Sequence, residues 1–199
     1  MEQKGEITII EKPDWVSWDE IKQCLFEAHA ENRAKGINMA HYQWPAEKIK
    51  DSIGDKGIML VALDGRKVVG TAALGDKFGK TWYANGRYGY MCFAGVLPEY
   101  GGKGIYNRLI CERDRVALDL GYNVLVLDTH IENKIIQKTA IKNGYRYVRY
   151  FRAASKDHYS VVMAKWLDGY PYSKAYCWWK YYCSLVKEKT FSLYSRFKR

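Results

Sequence analysis

Apolar residues follow two patterns along the chain, helical spacing near the N-terminus and short continuous runs farther on. Apolar side chains at positions 18, 21, 25 and 28 predict a helix over residues 18–34 that ends before Gly36. A second helix is predicted to begin at Pro45 and to end at Gly54, with its apolar residues turned inward. The N-terminal third is therefore expected to supply two helices that cover a sheet.

Strands are predicted wherever apolar residues run continuously between turn signals. Asp64-Gly65 joins two such runs and is a strong hairpin signal. Apolar residues at 105, 109, 116 and 120 predict a helix after the fourth strand, and a shorter helix over 133–143 follows the fifth. The predicted strands span residues 7–10, 58–63, 68–74, 91–97, 122–130, 145–154 and 159–167. This order predicts an α/β fold of the mixed α+β kind, with a central, mostly antiparallel sheet of about seven strands and helices on both faces.

Residues 169–199 are interpreted as a helical extension of a domain that spans 1–168. Polar side chains at 173, 177, 180, 184 and 187 form one narrow stripe, and aromatic and aliphatic residues cover nearly all the rest of this helix. Because so wide an apolar surface needs a cover, we expect it to pack on the same chain or in a homodimer, with Lys180, Lys187 and the final basic residues in water. A peripheral contact with an anionic membrane stays open as an alternative.

Composition and charge narrow the class of protein. The chain is 48% hydrophobic over 199 residues, which excludes a disordered protein, and its apolar runs are too short to span a membrane. The N-terminus lacks a signal-peptide core and the five cysteines form no C-x-x-C pair, so we expect a cytoplasmic protein. Scattered histidines predict no metal site. Of the net charge of +10, +6 falls after residue 169, but no nucleic acid is expected because no binding motif accompanies it.

The most informative segment is the glycine-rich turn after the fourth predicted strand, residues 96–106. In this arrangement a strand is followed by three glycines and the start of a helix. Backbone N–H groups and the positive end of the helix dipole then point to one place, which favours binding of an anion. A Walker-type phosphate loop is excluded because Gly104, and not Ser or Thr, follows Lys103. A dinucleotide fingerprint is excluded because Asn107 replaces its third glycine.

This turn resembles the cofactor loop of the GNAT superfamily of N-acetyltransferases, in which V-x-P leads to [RQ]-x-x-G-x-[GA] and a helix. Val96-Leu97-Pro98 and Gly104 match that pattern, whereas Gly101 and Tyr106 depart from it. A second run, Asp128-Thr129-His130-x-x-Asn133-Lys134-x-x-Gln137, resembles one bacterial branch of the same superfamily. Gly144-Tyr145 then stands eleven residues after the asparagine, as it does in the family.

The resemblance implies an acyltransferase that moves an acetyl group from acetyl-coenzyme A to an amine of a small-molecule or peptide acceptor, by direct attack in a ternary complex. It implies that the pantetheine arm binds between the fourth and fifth strands, which splay at a bulge near Gly95. The residues implied in cofactor binding are Gly95, Val96 and Leu97 for the arm, Gly101, Gly102, Lys103, Gly104, Ile105 and Tyr106 for the pyrophosphate, and Asn133. The alternative is a coenzyme-A-binding module with weak or no catalysis.

The sequence indicates the catalytic groups less clearly than the cofactor loop. Ala140 stands where many relatives of the superfamily carry the tyrosine that protonates the thiolate, and Tyr90 stands where a glutamate base is common. His130, at the carboxyl end of the fifth strand, has a side-chain pKa suited to either role. We therefore name His130 and Tyr90 as catalytic candidates, with Glu31 and His41 as further ones in the segment between the first two helices.

Overall fold

The computed structural model describes residues 6–37, 39–152 and 159–197, with the backbone alone at Ala40 and over 191–197. The strands are β1 (Thr8–Glu11), β2 (Ile58–Asp64), β3 (Lys67–Lys80), β4 (Asn85–Val96), β5 (Val124–His130), β6 (Arg146–Arg152) and β7 (Tyr159–Trp166). The α-helices are α1 (Trp18–Ala28), α2 (Ala30–Ala34), α3 (Ala46–Ile53), α4 (Ile105–Asp119), α5 (Lys134–Lys142) and α6 (Lys174–Phe197). The predicted end of the sixth strand at 153–154 lies outside the described residues.

The strands form one sheet in the order β1-β2-β3-β4-β5-β7-β6, and β4 and β5 are its parallel pair. This confirms the predicted mixed, mostly antiparallel sheet. Two strands are longer than predicted, because the outer halves of β3 and β4 are partly exposed and carry the hairpin beyond the apolar runs. The helix predicted over 18–34 is instead split at His29, which leaves the helical conformation with φ −103° and ψ 15°.

Capping and apolar spacing explain why α1 begins where it does and which face it buries. Ser17 accepts a hydrogen bond from the backbone of Glu20, and the Glu20 carboxylate accepts one in return from the backbone of Ser17, which forms a capping box. Ile21, Cys24 and Leu25 face inward and pack on the sheet together with α3. The opposite face of the sheet is covered by α4 and α5, so that the end of α1 and the start of α4 lie on either side of β4.

Strand β4 departs from regular pairing at the centre of the sheet. It pairs with β5 only at Gly89–Leu125 and Tyr90–Val126, and beyond these two pairs the strands part. Its register with β3 slips by one residue between Cys92 and Gly95, so that Phe93 and Ala94 form a β-bulge in which Phe93 has φ 47°. The predicted splay is therefore present, but its bulge precedes Gly95.

Gly95 itself marks a close approach of two backbone segments. A Cβ added to Gly95 would lie 2.8 Å from the Cβ of Ala28 and 3.2 Å from Nε2 of His29. A glycine is therefore needed here to let the end of α1 reach β4.

Helix α6 packs along β6, the edge strand of the sheet. The backbone N–H of Tyr150 donates to Oγ of Ser184 over 2.8 Å, and Cys177 and Tyr181 are buried. The predicted orientation was wrong in part, because Cys177 and Ser184 of the polar stripe face the protein together with Tyr181 and Leu185, and Lys180 is half-buried, with its ammonium over the ring of Trp179. The side chains of Arg196, Lys198 and Arg199 lie outside the described residues. Lys187 is exposed, as predicted.

A surface of aromatic side chains remains exposed on α6. Trp178, Trp179 and Tyr182 are 56%, 56% and 63% exposed. Among the described helices none is long and apolar enough to cross a membrane.

Candidate active site

A cavity of about 200 Å³ lies where β4 and β5 part. One wall comes from the end of α1 and the segment before α3, and the other from α4 and α5. The residues around it are His29, Met39, His41, Trp44, Tyr90, Met91, Cys92, Phe93, Ala94, Tyr106, Arg113, Leu127, Asp128, Thr129, Asn133, Ile136 and Ser160. The splay thus opens a passage from one face of the sheet to the other.

The glycine-rich turn lies at the α4 side of this passage. Gly102 and Gly104 both have φ 73°, a conformation that favours glycine, and a Cβ added to either would meet nothing within 4 Å. Gly104 caps α4 without a side-chain hydrogen bond, so the N–H groups of the first helical turn stay available. This backbone has the open approach and the unsatisfied donors that a diphosphate requires.

The residues predicted to bind the cofactor differ in what they can offer. Ile105 and Leu97 are each 2% exposed, so their side chains belong to the core and only backbone groups could serve. The N–H of Leu97 already donates to Val69 O over 2.9 Å, which removes Leu97 as a donor to the pantetheine arm. Tyr106 is half-buried and lines the cavity, and burial raises the pKa of its hydroxyl.

Tyr90 and Asp128 face each other across the splay. The Tyr90 hydroxyl donates to Oδ1 of Asp128, and both residues line the cavity. Burial first, and then the charge of Asp128, raise the pKa of Tyr90 well above its ordinary value. Tyr90 therefore stays protonated at neutral pH and cannot act there as a base.

His130 does not reach the cavity, although its neighbours Asp128 and Thr129 line it. The ring Nδ1 of His130 accepts a hydrogen bond from the backbone N–H of Glu132 over 3.0 Å, which fixes the turn after β5. Gln137 supports the same turn, since its Nε2 donates to the carbonyls of His130 and Ile131 over 3.1 and 2.7 Å. These contacts stabilise the turn between β5 and α5.

Asn133 is 6% exposed and serves both as a helix cap and as part of the cavity wall. It caps α5, because its Oδ1 accepts from the N–H of Ile136 over 3.4 Å, and it also lines the cavity. Ala140, at the position where the resemblance led us to expect a tyrosine, is 3% exposed and packs in the core. Glu31 is exposed and paired with Lys35 over 2.5 Å, away from the cavity lining.

His29 was missed by the sequence analysis and is the best-placed base. Its Nε2 lies 2.9 Å from the carbonyl oxygen of Ala94, in the bulge. Because a carbonyl can only accept, Nε2 carries the proton and Nδ1 carries a lone pair. Nδ1 is buried without a hydrogen-bond partner, and His29 lines the cavity beside His41. Burial lowers the pKa of His29 below its usual value of 6.5, so the ring is neutral at pH 7. The available signal was its position four residues after Leu25, on the inward face of the predicted helix.

No group of three or more His, Cys, Asp or Glu side chains in the described part of the chain could hold a metal ion. The polar groups that line the cavity include the imidazoles of His29 and His41, one carboxylate, several hydroxyls and the guanidinium of Arg113.

Comparison with known proteins decides the family. The model of the acetyltransferase (GNAT) family matches residues 15–145, about two thirds of the chain. The chain belongs to the GNAT acetyltransferase family. A search of the curated proteins finds no match.

Solved GNAT structures share the fold at low identity. The ribosomal-protein-S18-alanine N-acetyltransferase of Escherichia coli superposes with a TM-score of 0.61 at 13% identity, over 81% of this chain and 94% of that one. An aminoglycoside 6'-acetyltransferase type Ii gives 0.63 at 19%, over 82% and 99%. The protein yncA of Salmonella typhimurium, solved with its cofactor acetyl-CoA, gives 0.61 at 16%, over 85% and 98%. Helix α6 lies beyond the residues that the family model matches.

Proposed function

We propose that this GNAT protein transfers an acyl group from a coenzyme A thioester to the amine of a small-molecule or peptide acceptor, by direct attack in a ternary complex. The observation that carries the proposal is the cavity formed where β4 and β5 part, next to the glycine-rich turn at the start of α4. The open turn suits a diphosphate and the narrow splay suits an extended chain that ends in a thioester. Acetyl-coenzyme A is the cosubstrate that the family membership supports.

In this proposal the backbone supplies most of the cofactor contacts. The N–H groups from Gly102 to Tyr106 hold the pyrophosphate at the positive end of α4. The side of β4 that faces away from β3 has no strand partner after Tyr90, so Gly95 and Val96 can pair with the amide groups of the pantetheine arm. Asn133 contacts the arm from the β5 side.

His29 supplies the proton transfer. An amine of the lysine type has a pKa of about 10.4 and must lose a proton to attack the thioester carbon. The ammonium form first loses one proton to water, and the neutral amine then attacks. As the C–N bond forms, the lone pair of His29 Nδ1 takes a second proton from the attacking nitrogen, while the hydrogen bond to Ala94 O keeps the ring in the required tautomer. The C–S bond then breaks, and the thiolate takes its proton from water.

The acceptor enters from the side of α1. Met39, His41 and Trp44 line that part of the cavity, and the His41 ring packs edge-on against Phe93 at 5.4 Å. Apolar and aromatic walls favour a compact, partly apolar amine.

Calorimetry with acetyl-coenzyme A and free coenzyme A tests the cofactor site, and release of the free thiol with a panel of amines tests the transfer. We expect binding at micromolar cofactor and release of thiol that depends on the amine. An absence of binding at millimolar cofactor would remove the proposal.

A further inference from the structure

Arg113 is a buried cation in the wall of the cavity. It lies on α4, is 3% exposed, and contributes to the lining of the cavity. Its one hydrogen bond runs from a terminal guanidinium nitrogen to the carbonyl of Ala73 over a long 3.3 Å, and its buried Nε has no partner. Asp114, the next residue, is paired with Lys165 over 2.5 Å. Among the described residues no carboxylate forms an ion pair with Arg113.

The nearest polar neighbours of Arg113 include tyrosine hydroxyls and a thiol, which are uncharged at neutral pH. The hydroxyl of Tyr145 is buried without a hydrogen-bond partner. Tyr106, Tyr145 and Cys92 are close enough for the positive charge of Arg113 to oppose the rise that burial causes in their pKa values. A guanidinium offers five N–H donors, and most of them are unused here. Asp128 lines the same cavity but accepts a hydrogen bond from the Tyr90 hydroxyl, and no described carboxylate forms an ion pair with Arg113.

The cofactor pyrophosphate does not fill this need. Arg113 follows Gly104 by nine residues, which places the two about 13 Å apart along the axis of α4. Arg113 instead lies at the bulge, since Ala73, whose carbonyl it contacts, is the register partner of Cys92. This is the part of the cavity where acyl transfer is proposed to occur. A buried charge without a partner is costly, so a site that retains one is suited to a ligand of opposite charge.

We propose that Arg113 binds a carboxylate inside the transfer cavity, carried either by the acyl chain of the thioester or by the amine acceptor. The inference rests on the proposed function, since it concerns what is transferred or what receives it. In the first case the donor is a dicarboxylic acyl thioester such as succinyl-coenzyme A, and in the second the acceptor is an amino acid. The carboxylate takes no part in the bond changes: the amide C–N bond forms, the C–S bond breaks, and the proton of the amine goes to His29. It fixes the position of the group that bears it.

The test compares Arg113→Met with Arg113→Lys and with Arg115→Met. Arg115 lies on the same helix but is exposed, where it pairs with Glu112 and Asp119, so it is the matched control. One series measures kcat/KM with succinyl-coenzyme A and acetyl-coenzyme A for a fixed amine. The other measures it with acetyl-coenzyme A for L-phenylalanine and L-phenylalaninamide. Calorimetry with free coenzyme A accompanies both series.

In one of the two series we expect the wild type to prefer the carboxylated ligand. Arg113→Met should reduce that preference by about 30-fold or more, whereas Arg115→Met leaves it unchanged. Arg113→Lys keeps the positive charge but lacks the planar guanidinium group, so it should retain part of the preference. This variant still tests the inference if Arg113→Met does not fold. The series that shows the effect identifies the carrier of the carboxylate.

Two results would overturn the inference. One is the absence of a preference in both series, and the other is a preference that survives in Arg113→Met. If free coenzyme A binds in either case, the proposed function stands and the carboxylate site alone is lost. If the wild type does not bind coenzyme A, the proposed function fails and the inference fails with it.

Discussion

Replacement of His29 by glutamine separates its chemistry from its contact with the bulge. A glutamine can still donate an N–H to Ala94 O, the bond that the histidine makes over 2.9 Å, but it has no basic nitrogen at the position of Nδ1. Since Nδ1 is buried in the cavity wall without another partner, its removal breaks no other hydrogen bond. The loss should therefore fall on proton transfer. We expect kcat to decrease by about 10²–10⁴-fold, with coenzyme A affinity within a few-fold of the wild type.

The pH dependence follows from the pKa of His29. Burial holds that pKa below 6.5, so protonation of Nδ1 should lower wild-type kcat/KM further below that pH, beyond the fall that protonation of the amine itself causes. Folding stability should change in the same direction. Above pH 6.5 the His29 ring is neutral in both the folded and the unfolded chain. Below that pH the unfolded chain binds a proton more readily than the folded chain does. The free energy of unfolding therefore decreases as the pH falls, and His29→Gln removes this contribution.

The assay measures amine-dependent release of the thiol between pH 5 and pH 9, together with calorimetry. His130→Gln is the control, since His130 is half-buried outside the cavity lining and its Nδ1 fixes the turn after β5. It should keep activity within a few-fold of the wild type. The assignment of the base would be refuted by a His29→Gln variant of nearly full activity, or by an equal loss in His130→Gln.

Three further substitutions test the surroundings of the site. Gly95→Ala should lower Tm by roughly 2–12 °C in calorimetry and reduce activity, because the added methyl would lie 3.2 Å from His29 Nε2 and overpack the bulge. Ser184→Ala should lower Tm over a similar range, because it leaves the backbone N–H of Tyr150 in β6 without its acceptor beneath α6. Cys183→Ala, at an exposed position, is the control and should leave Tm unchanged. Equal Tm values for the two variants would contradict the role of Ser184 as that acceptor. Tyr106→Gly should bind coenzyme A as tightly as the wild type or more so, and a large loss of affinity would show that the ring contacts the cofactor.

Much of the fold could be predicted because its strands bury continuous apolar runs and its turns carry glycine. The outer ends of β3 and β4 could not, since Gly79 and Gly86 interrupt the apolar pattern and pairing across the hairpin alone extends the strands. The orientation of α6 was read incorrectly because periodicity separates two faces of a helix without showing which one meets the protein. Here small side chains at Cys177 and Ser184 allow close approach to β6, where Tyr181 is also buried, whereas Trp178, Trp179 and Tyr182 are largely exposed.

The candidate site could also be predicted only in part. The turn at the start of α4 could be predicted because it depends on local backbone conformation, and the glycines in the sequence indicate that conformation directly. His29 and Arg113 could not, because they reach the bulge from separate elements, the end of α1 and α4, and His29 lies 65 residues from the carbonyl that it contacts. His130 attracted attention through its place in a motif, but the contacts of that motif serve the turn between β5 and α5.

The bulge in β4 explains how these distant residues meet. Where β4 gains a residue against β3, three carbonyl groups accept hydrogen bonds from side chains: Phe93 O from Thr71 within the sheet, Ala94 O from His29, and Ala73 O from Arg113. The last two donors come from opposite faces of the sheet, His29 from the residue after α1 and Arg113 from α4. Since satisfying the bulge fixes both side chains at the cavity, one irregularity in the sheet positions the proposed base and the proposed carboxylate site together. Any change that removes the bulge should therefore impair the proposed proton transfer and the proposed ligand selection at once.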